Sequence, residues 1–264
     1  MFVNKIRDDG FGAQYQSIIA SIIYSEQNNK EFIYSKPNLE HVYEKESNDL
    51  HNIINLENSF RKFSSLTEEE KKQTQELGIY QVLDFFENNI DFYLQSKAMK
   101  KIINLYIKQS PNQYDDTYIN VAVHIRRCSI HKNIDFSWQH KNIDVKNTKT
   151  ELLSTLSERF LPDDYYLNII KEIKLKYTSG GSSKPIKFHI FSEGTKEDFK
   201  NFDYISDIQF HLNESIPDTF SNLVHADILV TSASSFSYVA ALLSTNIIYA
   251  KKFWHKHASH WISK

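Results

Sequence analysis

The chain has a single cysteine, Cys128, in 264 residues, so an internal disulfide framework is excluded and a reducing compartment is expected. Neither sign of charge dominates. Thirty-one Lys and Arg stand against 33 Asp and Glu, for a formal net charge of −2 and a sequence pI near 6.6. That balance removes the global basic field by which a protein recruits nucleic acid. Long apolar runs are missing too. The longest, such as Ile18 to Tyr24, are too short and too interrupted to cross a bilayer. Residues 1–10 also lack the apolar core of a secretory leader, and the sequon Asn213-Glu214-Ser215 carries little weight without one. The expectation is a soluble, cytoplasmic protein with no membrane span and no nucleic-acid partner. Internal repeats and low-complexity segments are absent as well.

Aromatic residues are plentiful. They make up 14% of the chain, with 15 Tyr and 18 Phe, which argues for packed cores and against disorder. The length suffices for two compact domains or one large one.

The pattern is organised around residues 119–127, Ile-Asn-Val-Ala-Val-His-Ile-Arg-Arg. Apolar side chains alternate through Ile125, as in a strand buried on at least one face. His124, Arg126 and Arg127 fall where that strand runs out. Desolvating two guanidiniums without an anion costs several kcal/mol, so an anion is expected beside them. In an open α/β sheet, ligands sit outside the carboxyl ends of the strands, and a diphosphate suits a planar fork there. An internal Arg–carboxylate bridge meets the same requirement.

Earlier in the chain, Phe2 to Ile6 predicts a short strand. A glycine loop, Asp9-Gly10-Phe11-Gly12-Ala13-Gln14, follows, then a helix with Ile18, Ile19, Ile22 and Ile23 on one face. The two glycines allow a tight turn and let N–H groups approach a ligand at the helix start, although an ordinary βα turn has the same look. Glu31 to Tyr34 predicts the next strand, and Asn38 to Ser110 is expected to be helical, with Thr67-x-x-Glu70 as a capping box. The polar stretch 111–116 marks the boundary between halves, 1–115 and 116–264. Cys128 to Asn147, with His131, Trp138 and His140, predicts a long loop, and Asp163-Asp164 after Pro162 a helix start with dipole compensation.

From Ile186 onward strands and helices alternate. Strands are expected at 186–191, 207–211, 227–231 and 247–250, with helices from about 196 and at 215–225 and 234–243. Such βα units imply a parallel sheet. Two further strand ends carry polar groups: Ser192 and Glu193 after one, and Ser234-Ser235-Phe236-Ser237 after another. Hydroxyls and N–H groups at a helix start form a natural phosphate cradle, although a simple N-cap uses the same residues. Near the C-terminus, His255, His257 and His260 fit no standard zinc spacing.

His124-Ile125-Arg126-Arg127 resembles the H-x-R-R motif of the GDP-fucose-dependent fucosyltransferases, the superfamily of α1,2-, α1,6- and protein O-fucosyltransferases. Three more blocks follow in order. Gly10-Phe11-Gly12-Ala13-Gln14 is similar to the family's G-x-G-N-Q loop, and Phe191-Ser192-Glu193 to its F-S-D segment. Residues 234–241, Ser-Ser-Phe-Ser-Tyr-Val-Ala-Ala, look like S-S-F-S-W-W-A-A. The α1,2 branch fits best, and the helical middle matches nothing. The resemblance implies an α/β fold of GT-B type, with two Rossmann-like halves, parallel sheets and a helical insertion. Residues 1–115 would form the acceptor side, and 116–264 the half that binds GDP-sugar.

The resemblance further implies inverting transfer of fucose from GDP-fucose to a hydroxyl of a glycan or protein acceptor, with no cofactor and no metal. The absence of an Asp-x-Asp pair agrees with this. Arg126 would neutralise the diphosphate, Ser234 and Ser235 would bind its oxygens, Glu193 would read the guanine N–H edge, and His124 would position nucleotide or acceptor. Gly10, Gly12, Gln14, Arg127, Ser192, Phe236 and Ser237 complete the implied substrate contacts. Where the family continues with Gly-Asp or a similar pair, this chain has Cys128-Ser129 and loses the acid. Some protein O-fucosyltransferases carry an acid just before the first glycine, which makes Asp9 the candidate base. Two other readings stand beside this one: a relative that binds GDP-sugar but is catalytically impaired, and a transferase using another nucleotide sugar.

Overall fold

The computed structural model describes residues 1–6, 9–37, 53–127, 160–179 and 183–264. Cys128, Ser129, His131, Trp138 and His140 lie outside the described residues. The chain forms two compact units.

The first unit comprises Met1–Asn112 with Leu242–Ser244 and Trp254–His260. Its strands are β1 (Phe2–Asn4), β2 (Phe32–Tyr34), β3 (Arg61–Lys62) and β4 (Gln75–Leu77), all parallel in the order β3-β2-β1-β4. Helix α1 (Phe11–Gln27) follows β1 and is buried on nearly every side, not on one face alone. Its buried serines make this tolerable. The Ser17, Ser21 and Ser25 hydroxyls each donate to a carbonyl three or four residues back, at 2.7–2.8 Å, so no donor is stranded. Short helices α2 (Glu68–Gln73), α3 (Ile79–Asn88), α4 (Ile90–Leu94) and α5 (Lys97–Gln109) complete the unit's leading segment.

The all-helical expectation for residues 38–110 needs correction. Residues 38–52 are outside the description, and β3 and β4 interrupt the helices after them. Two or three mostly polar residues cannot display an alternation, so edge strands of this kind are set by pairing with β2 and β1 and leave no periodic trace. The Thr67 capping box is present, with its hydroxyl accepting from Glu70 N and the Glu70 carboxylate accepting from Thr67 N.

Residues 254–260 are fixed to this unit by polar contacts. His255 Nδ1 lies 2.7 Å from Glu87 Oε1, Trp254 Nε1 donates to His255 Nε2 at 2.9 Å, and Lys256 N donates to Glu87 Oε2 at 3.1 Å. Both ring nitrogens of His255 are therefore engaged. The Glu87 and His255 side chains are only 11% and 10% exposed.

The second unit comprises Gln113–Ala241, Thr245–Phe253 and Trp261–Lys264. Its six strands are β5 (Ile119–His124), β6 (Ile186–Ser192), β7 (Ile208–Leu212), β8 (Ile228–Val230), β9 (Ile247–Ala250) and β10 (Ile262–Ser263). All are parallel, in the order β10-β9-β8-β5-β6-β7. Period-two alternation sorts their side chains. Val121, Val123, Phe188 and Ile190 enter a core with Tyr166, Ile169, Ile170 and Ile173 of helix α6 (Asp163–Ser179). Asn120, Ala122 and His124 point to the other face, as do Lys187, His189 and Phe191 in register with them. Helices α7 (Ile216–His225) and α8 (Ser235–Leu243) follow β7 and β8. The helix expected from Lys196 is a 3-10 turn, Lys196–Phe202, broken where Phe199 leaves helical geometry at φ −121°. Strand β10, two residues long, has no counterpart in the sequence reading.

Candidate functional site

Strands β8, β5 and β6 are neighbours and run the same way, so residues following each emerge along one border of the sheet. His124, Arg126 and Arg127 follow β5, Ser192 and Glu193 end β6, and the serine run follows β8. The second unit thus brings three of the four sequence blocks together at carboxyl ends of adjacent strands.

The two arginines differ. Arg127 turns inward: Nη2 donates to Asp163 Oδ1 at 2.6 Å, and the guanidinium sits 5.5 Å over the Phe199 ring. The other Asp163 oxygen accepts from Asn201 Nδ2 at 2.9 Å. Arg127 is therefore a strut in an internal ion pair, and Asp163 does more than compensate the α6 dipole. Arg126 turns toward the serine run, with Nη1 donating to Ser234 Oγ at 3.1 Å. That hydroxyl also accepts from Phe236 N at 3.3 Å, at the first turn of α8. A guanidinium is thus directed at the positive end of a helix dipole, an arrangement that favours an anion between or beside them.

His124 is buried, and its Nδ1 lies 2.8 Å from Ser232 Oγ. Its ring faces Phe236 with centroids 5.4 Å apart. Burial, and secondarily the Arg126 charge, pushes its pKa down to about 3, so the ring is neutral at any physiological pH. It can position a group by hydrogen bonding; it is a poor proton acceptor. Ser237 is fully buried, and its hydroxyl lies 3.4 Å from Ser232 O and 3.3 Å from Ser234 O, while Ser235 and Phe236 are half-buried at the helix start. Ser192 Oγ donates to Ile125 O at 2.7 Å and so fixes the exit of β5. Glu193 is exposed beside it. Sequence reading gave Ser232 no separate role. Its neighbours in the serine run hide it, and only the fold shows which hydroxyl meets His124.

The remaining block belongs to the first unit. Gly10 caps α1 with an ordinary φ of −64°, and a Cβ there would meet nothing within 4 Å. The turn therefore does not require glycine for its backbone, contrary to the tight-turn expectation, and the space above Gly10 is open. Asp9 Oδ1 accepts from Gly10 N at 2.8 Å, so its carboxylate holds the start of α1. Gln14 is buried, with Nε2 directed at Asp9 O at 3.4 Å, and Gly12 is buried inside the helix. Among the described residues no group of three or more His, Cys, Asp or Glu could hold a metal ion, and no helix is long and apolar enough to cross a membrane.

No family model matches the chain, and no curated protein sequence matches it. Solved structures do. The E. coli heptosyltransferase WaaC with ADP is similar at TM-score 0.50 and 10% identity, over 100% of this chain and 92% of that one. The NodZ α-1,6-fucosyltransferase soaked with GDP-fucose gives TM-score 0.46 and 11% identity, over 94% of each chain. POFUT1 in complex with GDP gives 0.40 and 11%, over 93% of this chain and 94% of that one. The likeness to the heptosyltransferase shows the fold: α/β, with two parallel-sheet units of GT-B type.

Proposed function

We propose that the chain is a glycosyltransferase that takes GDP-fucose as donor and transfers fucose, with inversion, to a hydroxyl of a glycan or protein acceptor. The observation that carries this reading is the Arg126 guanidinium aimed at the N-terminus of α8. Two positive elements converge where a departing diphosphate would gather charge, and preorganised groups of this kind act on charge that develops in the transition state. The four ordered sequence blocks supply the identity of the donor. Glu193, exposed at the end of β6, is suited to accept from the guanine N–H edge.

In the proposed step, the acceptor oxygen forms a bond to the sugar's anomeric carbon as the bond from that carbon to the diphosphate oxygen breaks. The bonding pair leaves with GDP, whose charge Arg126 and the α8 N–H groups meet. The acceptor proton passes to a base, for which Asp9 is the candidate. His124, held neutral, orients a donor or acceptor group through hydrogen bonding. Arg127, ion-paired with Asp163, holds the segment that presents Arg126. The second unit would be the donor side and the first the acceptor side, and no metal or cofactor is invoked.

A thermal-shift panel of nucleotides and nucleotide sugars tests this directly. A ligand at 100 times its Kd should stabilise by about 2.7 kcal/mol. GDP and GDP-fucose are expected to raise the melting temperature, and UDP and ADP much less. An equal shift with every nucleotide removes Glu193 as a base reader. A preference for an adenine donor selects the other-sugar reading, and GDP binding without donor turnover selects the catalytically impaired one.

A further inference from the structure

On the β5–β6–β7 side of the second unit, on the face that carries Asn120, a cleft of about 600 Å³ is lined by polar groups that lie outside the four sequence blocks. Its floor is a hydrogen-bonded row. Asn120 Oδ1 lies 3.1 Å from His189 Nε2, His189 Nδ1 lies 3.0 Å from His211 Nε2, and His211 Nδ1 lies 2.7 Å from Glu214 Oε1. The orientation of each member is fixed. Asn120 Nδ2 is committed to the carbonyls of Asp115 and Tyr118 at 2.8 and 3.4 Å, so its oxygen must face His189. Flipping either imidazole would lose both of its contacts.

These contacts can be counted in protons. Asn120 Oδ1 and the Glu214 carboxylate are acceptors, so both outer contacts need a hydrogen on the ring nitrogen. The middle contact joins two nitrogens and needs one more. Three hydrogens are required, and two neutral imidazoles bring two. We infer that the Asn120–His189–His211–Glu214 row holds one proton beyond the neutral rings, carried as an imidazolium on His211 against Glu214. Imidazole is a stronger base than carboxylate in water, which places the proton on nitrogen. His189 is 5% exposed, and burial, with His211 and Lys187 beside it, depresses its own pKa to about 4. The two rings are therefore not charged together at neutral pH.

Because both nitrogens of each ring are already engaged, the row offers the cleft no spare ring donor. What it can exchange with solvent is a proton. Loss of that proton removes one of the three contacts and leaves edge strand β7 held to β6 by its backbone ladder alone at that point. The corner affected is specific. Glu214 lies between Ser215, whose hydroxyl caps α7, and Asn213, whose side chain bonds the backbone of Gly194 at 2.7 and 3.0 Å. Charged and titratable groups facing the row are Lys187 from β6, Tyr114 and Asp115 ahead of β5, Asp218 from α7, and Asp227, which accepts from Asn120 N at 2.8 Å.

Side-chain nitrogen–proton correlation spectra of the whole protein at pH 6 test the inference. Two protonated nitrogens are expected on His211 and one, Nε2, on His189, with one proton lost from the pair as the pH is raised. A single proton on each ring at pH 6 overturns it. In Glu214→Gln, an exposed substitution that leaves the core intact, the pair is expected to lose its extra proton about 1–3 pH units lower. An unchanged midpoint in that variant also overturns it.

Discussion

Arg126 and Arg127 are adjacent in the chain, yet substituting them should have opposite consequences. Arg127 and Asp163 side chains are 8% and 18% exposed, so Arg127→Ala leaves a nearly buried carboxylate without its cation. A loss of about 3–5 kcal/mol is expected, read as a lower denaturation midpoint. Arg127→Met combined with Asp163→Leu should recover much of it, since replacing a buried pair by apolar groups is often close to neutral. Arg126→Ala should leave the midpoint nearly unchanged and abolish the GDP-induced thermal shift. Lysine should rescue it poorly, lacking the planar fork. For Asp9→Asn, transfer should fall about 10²–10⁴-fold with GDP affinity unchanged if the carboxylate is the base. A parallel loss of affinity would instead assign Asp9 to the start of α1, where it already bonds Gly10 N. His124 has a pH signature of its own. Its folded-state pKa lies below the ordinary value near 6.5, so the stability it contributes is complete above about pH 6.5 and declines as the pH falls toward 3. In His124→Asn, urea midpoints measured across that interval should vary less with pH.

At the level of elements, local chemistry that left a repeated mark in the sequence was readable, and pairing that left none was not. The βα alternation from Ile186 onward led to four consecutive strands of the second sheet, β6 to β9, because each carries an apolar run or alternation. Thr67 and Glu70 announced the start of α2 because a capping box is a local device; Thr67→Ala should cost about 1 kcal/mol, measured as a drop in unfolding free energy. Strands β3, β4 and β10 were invisible because two or three residues have no period. The same division holds at the candidate site. The strand-end positions of His124, Arg126, Glu193 and Ser234 followed from spacing alone. Which arginine would meet Asp163, and which serine His124, depends on contacts 36 and 108 residues apart in the chain, and no local rule reaches that far. The His189–His211 row was missed for a related reason: its members are spread over β5, β6 and β7 and meet only through strand register.

For the molecule as a whole, the division into two units does not follow a single cut near residue 115. The chain leaves the first unit after Asn112, touches it again at Leu242–Ser244, and returns at Trp254–His260 before ending in the second. A fragment ending at Asn112 would therefore lack two partners of Glu87, His255 and Lys256 N, while keeping Gln16 Nε2 at 3.1 Å. His255→Ala in the full chain isolates that loss. Glu87 then keeps Gln16 Nε2 and Lys256 N; losing one hydrogen bond to a charged group costs about 1.5–3 kcal/mol, and faster amide exchange should be concentrated in α3.

The Glu87–His255 contact also sets an order of events during synthesis. His255 lies 168 residues after Glu87. At about 5–20 residues per second, translation leaves an interval of roughly 10–30 s in which the first unit has all its strands but not its last polar partner. Throughout that interval, the carboxylate that ends buried relies on Gln16 Nε2, at 3.1 Å, and on water. The first unit is thus completed only after most of the second has been made, and a chain stalled before residue 255 should be more sensitive to proteases in that unit although residues 1–112 are all present.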